Sequence, residues 1–180
     1  MQTEIIIAGF GGQGVLFAGQ LLAYAALDEG KQVTWFPSYG PEMRGGTANC
    51  TVILSDEEIG SPLVRNPQSA IVMNLPSLDK YEPLVRQGGL LVVDGSMVNR
   101  PAARTDIRTV VIPANEIAEQ IGDRRLMNIV LLGSALANEH ILPVEAVENA
   151  LRKHIPQRHR ELLEGNLRAL AAGMEYLVKA

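Results

Sequence analysis

The chain begins with an apolar run from Glu4 to Ala8, closed by Gly9. A run without alternation reads as a buried strand covered on both faces. From Gly14 to about Glu29 the period changes. Val15, Leu16, Gly19, Leu22, Ala23 and Ala26 recur at three- and four-residue spacing, which marks one face of a helix, and Gly30 is placed to cap its end. Val33 to Phe36 predicts a second strand, stopped by Pro37. The stretch 37–46 is polar, rich in glycine and proline, and fits no helix. Thr47 to Leu54 alternates like a strand and runs into the charged turn 55–58. A short connection without a helix need not make a parallel crossover, so at least one antiparallel strand is expected in the sheet.

Further along, Ala70 to Met73, Leu90 to Val93 and Thr109 to Ile112 predict three more strands. Leu78, Tyr81, Leu84 and Val85 suit a short helix between the first two of these. Helices are then expected over 116–121, 126–139, 144–155 and 161–178, the last with an apolar stripe of Leu162, Leu163, Leu167, Leu170, Met174 and Leu177. Strands alternate with helices early and helices gather late. The expected fold is α/β: a three-layer α/β/α Rossmann-like domain with a mostly parallel but mixed sheet and a helical C-terminal third, with 1–180 forming a single domain. Pro101-Ala-Ala-Arg104 resembles a linker, but one that joins elements rather than domains.

Composition narrows the function classes. The 180 residues are 47% hydrophobic and 20% charged, so a proper core can form. A net charge of -4 with only 4% aromatic residues argues against polyanion binding and base stacking, so no nucleic-acid partner is expected. One cysteine, Cys50, provides no disulfide framework and cannot ligate an iron–sulfur cluster by itself. The longest apolar stretch, Leu126 to Ala137, is too short to span a bilayer and contains Asn128 and Ser134. With no basic leader after Met1, the expectation is a cytoplasmic protein with no membrane partner.

Gly9-Phe-Gly-Gly-Gln-Gly14 matches GxGxxG between a strand and a helix. Its glycines allow a tight turn, close strand–helix packing, and backbone N–H groups facing an anion at the helix N-terminus. Two specific uses of such a turn are not supported. Val15 and Leu16 stand where a nucleotide-hydrolysing loop needs Lys and Ser/Thr. The second strand ends in Phe36-Pro37-Ser38 without the acid that holds a ribose, and Asp28 and Glu29 precede that strand. The turn therefore serves packing, or it holds a phosphate-bearing or other ligand shared with a partner chain. The candidate binding residues here are Gly9, Gly11, Gly12, Gln13 and Gly14.

The segment Tyr39-Gly-Pro-Glu-Met-Arg-Gly-Gly46 leaves a strand end that should lie beside this turn. Arg44 brings a planar donor fork suited to carboxylate or phosphate, unless Glu42 engages it within the loop. Tyr39, Glu42, Met43, Arg44, Gly45 and Gly46 are the candidate partner-contact residues, and Arg44 is also a candidate anion contact.

Ile7-Ala-Gly-Phe-Gly-Gly-Gln-Gly-Val-Leu16, together with Ser38-Tyr-Gly-Pro-Glu-Met-Arg-Gly-Gly-Thr-Ala-Asn-Cys50, resembles the gamma subunit of 2-oxoacid:ferredoxin oxidoreductases, with the 2-oxoglutarate branch nearest. Met73-Asn-Leu-Pro76 and Asp94-Gly-Ser96 fall where that family has comparable segments. The resemblance implies an enzyme complex that decarboxylates a 2-oxoacid on thiamine diphosphate with magnesium. Electrons pass through iron–sulfur clusters to ferredoxin, and acyl-CoA is released. It implies alpha and beta partner subunits, with delta as a further one, and ferredoxin as an indirect partner. Val93-Asp94-Gly95-Ser96 is not the GDG motif that holds thiamine diphosphate. None of the cofactors is therefore expected on this chain alone, and coenzyme A is expected to touch it at the glycine turn or Arg44. The isolated chain is expected to be inactive and to self-associate through surface meant for partners. The same domain type occurs in indolepyruvate and ketoisovalerate oxidoreductases, and a stand-alone nucleotide-binding protein is the alternative of a different class.

Cys50 has no activating neighbour in sequence and is expected to be a buried, inert thiol. His140, His154 and His159 show no metal-ligand spacing. Asn74 and Asp94 each follow a strand and suit turn or cap roles, at the sheet end where the glycine turn is expected.

Overall fold

The computed structural model describes residues 1–39 and 47–177. Six strands form one sheet: β1 (Gln2–Phe10), β2 (Gln32–Tyr39), β3 (Thr47–Ser55), β4 (Ser69–Val72), β5 (Leu90–Asp94) and β6 (Arg108–Ile112). The sheet order is β2-β3-β1-β4-β5-β6. β1, β4, β5 and β6 run parallel, whereas β3 is antiparallel to both β1 and β2. This is the mixed sheet expected from the short, helix-free connection.

Among the described residues six α-helices accompany the sheet: α1 (Val15–Asp28), α2 (Leu75–Tyr81), α3 (Ala114–Ile121), α4 (Met127–Asn138), α5 (Val144–His154) and α6 (Leu163–Met174). The large core lies on one face of the sheet, where Ile5, Ile7, Ile71 and Val92 meet Leu22, Ile129 and Leu132. α1 and α4 touch the strands there, α5 packs on α1, and α6 packs on α4. The opposite face is thinner. Ile6, Ala8, Val72, Leu91 and Val93 are covered by α2 and by Val85, Val98 and Ile107.

Two sequence expectations are corrected, and the helix end at Gly30 is borne out. Pro37 does not stop β2, which continues to Tyr39 with Pro37 paired opposite Cys50. β2 is an edge strand, where a missing N–H is tolerated. The last helix starts at Leu163, after the 3₁₀ stretch Gln157–Leu162, and ends at Met174. Leu177 is exposed, and Val178 lies outside the described residues. The buried face of α6 is Asn166, Ala169, Leu170 and Gly173, and Leu163 and Leu167 of the expected stripe pack against the same core. Gly30 stands one place beyond the C-cap Glu29, with φ 77°. Lys31 N–H bonds to Ala26 O and Gly30 N–H to Leu27 O, closing the helix in a Schellman motif.

The sequence also concealed how α4 and α6 meet. A Cβ at Gly133 would overlap the Leu170 carbonyl, and one at Gly173 would overlap the Val130 carbonyl. The two backbones thus touch where side chains normally stand. The irregular segment before β6 is held differently: buried Glu82 accepts from Ala103 N and Arg104 N and pairs with Arg100 at 3.0 Å.

Because neither helix backbone can give way cheaply, Gly173→Ala should cost about 1–3 kcal/mol of stability, the usual range for overpacking a core. Gly60→Ala meets nothing within 4 Å and should stay within about 0.5 kcal/mol of the parent. Urea midpoints of the two variants check both expectations.

Candidate functional site

The C-terminal ends of β1, β4, β5 and β6 share one end of the sheet. Since β3 opposes both neighbours, the end of β2 lies there too: Phe10 pairs with Thr47, and Tyr39 with Ala48. The glycine turn after β1 and the segment that leaves β2 therefore start side by side. Of the second segment's candidates, Tyr39 closes β2. Glu42, Met43, Arg44, Gly45 and Gly46 lie outside the described residues.

The glycine turn is shaped by φ angles that other residues resist: 97° at Gly12 and 74° at Gly14. Gly14 is also packed, since a Cβ there would strike the Asn128 amide, and Asn128 Nδ2 donates to Gly14 O at 3.0 Å. α1 starts at this residue without a side-chain cap and without an acid in its first turn. Its first N–H groups therefore have no side-chain acceptor from the capping position. Gly12 borders open space. Gln13 faces inward. Its Oε1 accepts from Phe10 N at 2.6 Å and from Asn74 Nδ2 at 3.4 Å, and its Nε2 donates to Met73 O at 3.1 Å. A candidate ligand contact in the sequence is thus a tie between the ends of β1 and β4. Gly9 packs against Gln13, Met73 and Val15. The outward-facing part of the turn is Gly12, which is exposed, between half-buried Gly11 and Gly14.

Asn74 and Asp94 follow their strands at the same end. Asn74 caps α2 by accepting from Ser77 N at 2.9 Å. Asp94 is fully buried. It accepts from Ser96 N at 3.0 Å, Ala114 N at 3.3 Å and Asn115 Nδ2 at 2.9 Å, and Asn115 Oδ1 in turn accepts from Arg124 Nε at 3.1 Å. Burial pushes the Asp94 carboxyl above its ordinary range, opposed by the bonds from Ser96 and Ala114 and by the Arg124 guanidinium.

Two clefts border the turn. One of about 250 Å³ lies between Gly12, Gln13, Met97, Asn115, Arg124 and Met127, and another of about 280 Å³ is lined by Gly12, Phe17, Leu126, Ile155 and Pro156. Arg124 and Asn128 are the residues that sequence reasoning missed here. A signal existed for Asn128, an amide inside the longest apolar stretch of the sequence.

The remaining candidates fall elsewhere. Asp28 sits at the far end of α1, bound to Lys153 at 2.6 Å and His154 at 2.9 Å, so it is no ribose acid for the glycine turn. Its carboxyl is held below the ordinary range by those two partners. Cys50 is buried against Val15 O at 3.6 Å, and burial pushes its thiol up to about 12, the inert state expected. Among the described residues no cluster of three His, Cys, Asp or Glu side chains could hold a metal ion, and no helix is long and apolar enough to cross a membrane.

Open α/β sheets take ligands at the carboxyl ends of their parallel strands, the end at which this chain carries its glycine turn. Residues 4–176 match the family model for pyruvate ferredoxin/flavodoxin oxidoreductase, and the chain belongs to that family. It is 38% identical to ketoisovalerate oxidoreductase subunit VorA of Methanothermobacter marburgensis, covering 99% of this chain but 37% of that protein. The chain thus spans little more than a third of that relative. It is 35% identical to 2-oxoglutarate synthase subunit KorC of Methanocaldococcus jannaschii, covering 97% of this chain and 94% of that one. The crystal structure of a keto/oxoacid ferredoxin oxidoreductase gamma subunit from Geobacter sulfurreducens superposes with a TM-score of 0.85 at 30% identity, covering 97% and 95% of the two chains.

The raised Asp94 carboxyl has a definite sign in stability. A folded value above the unfolded ~3.9 means the native state holds the proton longer, so this group's contribution falls as pH rises from about 3.9 through the raised value. Asp94→Asn should remove that falling component. The parent-minus-variant difference in unfolding free energy, measured by urea from acid to neutral pH, should decline across the window. A difference that rises with pH would contradict the assignment.

Proposed function

We propose that this chain is the gamma subunit of a 2-oxoacid:ferredoxin oxidoreductase complex. That complex converts a 2-oxoacid and coenzyme A to acyl-CoA and carbon dioxide while electrons leave to ferredoxin. Alpha and beta subunits, with delta as a further one, are its partners. The observation that carries the reading is the convergence of β1 and β2 at one end of the sheet, which brings together the starts of the two motifs that define the family resemblance. We take 2-oxoglutarate as the substrate, in line with the near end-to-end match to KorC at 35% identity, with pyruvate and ketoisovalerate as the alternatives that the assay compares.

The residues present fit a phosphate of coenzyme A at the turn. The uncapped start of α1 supplies N–H donors, the absence of an acid in its first turn removes repulsion, and the open space at Gly12 admits the ligand. Gly11, Gly12 and Gly14 would hold the anion by backbone, with Gln13 fixing the turn from behind, and Arg44 would supply the charge. Bound coenzyme A contributes the thiol that accepts the acyl group. The residues do not fit thiamine diphosphate with magnesium. Asp94, the buried acid of its Asp-Gly pair, is occupied by Ser96, Ala114 and Asn115. Those cofactors and the clusters are assigned to companion subunits.

A stand-alone dinucleotide-binding enzyme is disfavoured because Asp28 is committed to α5 at the other end of its helix. The test uses the co-purified complex assayed on 2-oxoglutarate, pyruvate and 3-methyl-2-oxobutanoate. Arg44→Ala should raise the KM for coenzyme A roughly 10- to 100-fold, the worth of one charge-assisted hydrogen bond, while the 2-oxoacid KM stays put. An unchanged coenzyme A KM in an intact complex overturns the coenzyme contact. Tight NAD or ATP binding by the lone chain in calorimetry overturns the subunit reading.

A further inference from the structure

The cleft of about 280 Å³ beside the glycine turn lies between the start of α1, the start of α4 and the segment that joins α5 to α6. Its walls are Phe17, Leu126, Ile155, Pro156 and Leu162. Phe17 stands in the first turn of α1 with 41% of its surface exposed. The charged pair Asp123 and Arg125 also borders the cleft, but the two are bound to each other at 2.7 Å. Two buried amides reach the same space. Asn128 is satisfied at both ends, with Nδ2 donating to Gly14 O at 3.0 Å and Oδ1 accepting from Ile129 N at 2.9 Å. Asn166, only 5% exposed, is satisfied at one. Its Nδ2 donates to Leu162 O at 2.7 Å, which fixes the amide's orientation, and its Oδ1 accepts from no group among the described residues. Buried acceptors are rarely left without a donor. A molecule in the cleft can supply one, and Gly12 and Gly14 line that cleft as well. The turn suited to an anion and the unpartnered acceptor therefore belong to one cavity.

We propose that this cleft takes the adenine base of the nucleotide whose phosphate the glycine turn holds, with Phe17 against the ring and Asn166 Oδ1 accepting from the exocyclic amine. The inference rests on the coenzyme A reading of the turn. An apolar cavity with one placed polar group suits a flat, neutral ring, and stacking on an aromatic side chain is a common way for proteins to hold a base. The exocyclic amine is the N–H donor that adenine carries, and it matches the single free acceptor. The pantetheine arm also has N–H groups and methyls. That arm ends in the thiol, which has to reach the chemistry on companion subunits, so the base is the end free to sink into this chain. A free adenine nucleotide offers the same base and phosphate, and the test separates the two sources.

Saturation-transfer NMR of the pure full chain with about 1 mM coenzyme A should mark adenine H2 and H8 more strongly than the pantetheine methyls. Phe17→Ala should remove the ring signal, whereas Leu27→Ala, exposed at the other end of α1, should keep it. Adenosine 5′-monophosphate should be marked more strongly than purine riboside 5′-monophosphate, which lacks the amine. In the co-purified complex, Phe17→Ala should raise the KM for coenzyme A about tenfold and leave that for pantetheine, which lacks the nucleotide, unchanged. Methyl signals stronger than ring signals, no marked proton at all, or ring signals that Phe17→Ala leaves intact would overturn the base site while the proposed function stands. Equal signals from the two monophosphates would overturn the role of Asn166. Ring signals with a coenzyme A KM that ignores Phe17→Ala would overturn coenzyme A as the occupant in favour of a free nucleotide. Ring signals in a complex that makes no acyl-CoA would uphold the base site and overturn the proposed function instead.

Discussion

The reversal of β3 is the constraint on which the site depends. β1 and β2 are joined through α1 and run in the same direction, which a strand lying between them and hydrogen-bonded to both preserves only if it opposes both or neither. Here β3 lies between them and opposes both, so β2 leaves the sheet at the end where β1 does, with only one strand in between. Hydrogen bonds along nine register pairs with β1 and eight with β2 fix that relation. A register slip of one residue would turn Cys50, Val52 and Leu54 out of the core, which is why the arrangement is strongly specified.

Around this frame the polar groups at the strand ends are spent on holding the backbone. Gln13 ties β1 to β4, and Asn74 starts α2. Asp94 collects the chain after β5, the start of α3 and, through Asn115, the guanidinium of Arg124. What remains for an external ligand is mostly backbone: the glycine turn, open on its outer side. Under the proposed function, this surface positions a ligand or a neighbour for the companion subunits.

Much of this was legible in the residues. Unbroken Ile/Val runs marked the buried parallel strands, and the helix-free connection foretold the antiparallel one. The glycine motif lay at a strand-to-helix junction, as its spacing required. What stayed hidden had physical causes. Pro37 reads as a strand stop unless one knows that β2 lies at the edge. The stripe of leucines in the last helix suggested the buried face, yet Gly173 is what lets α6 press against α4, and a glycine carries no hydrophobic signal. Gln13 looked like a ligand contact because polar residues in glycine turns often are. Only the fold shows Met73 O and Phe10 N within its reach. Asn128 and Gly14 are 114 residues apart, a pairing no local pattern encodes.

We propose that the working face is the sheet end bearing the glycine turn. Hydrogen–deuterium exchange on this chain, free and within the co-purified complex, examines it directly. Amides from Gly11 to Phe17 should gain protection on assembly, whereas those of 56–66, beyond the opposite end of β3, should not change. Protection confined to 56–66, with the glycine turn exchanging as freely as before, would contradict it.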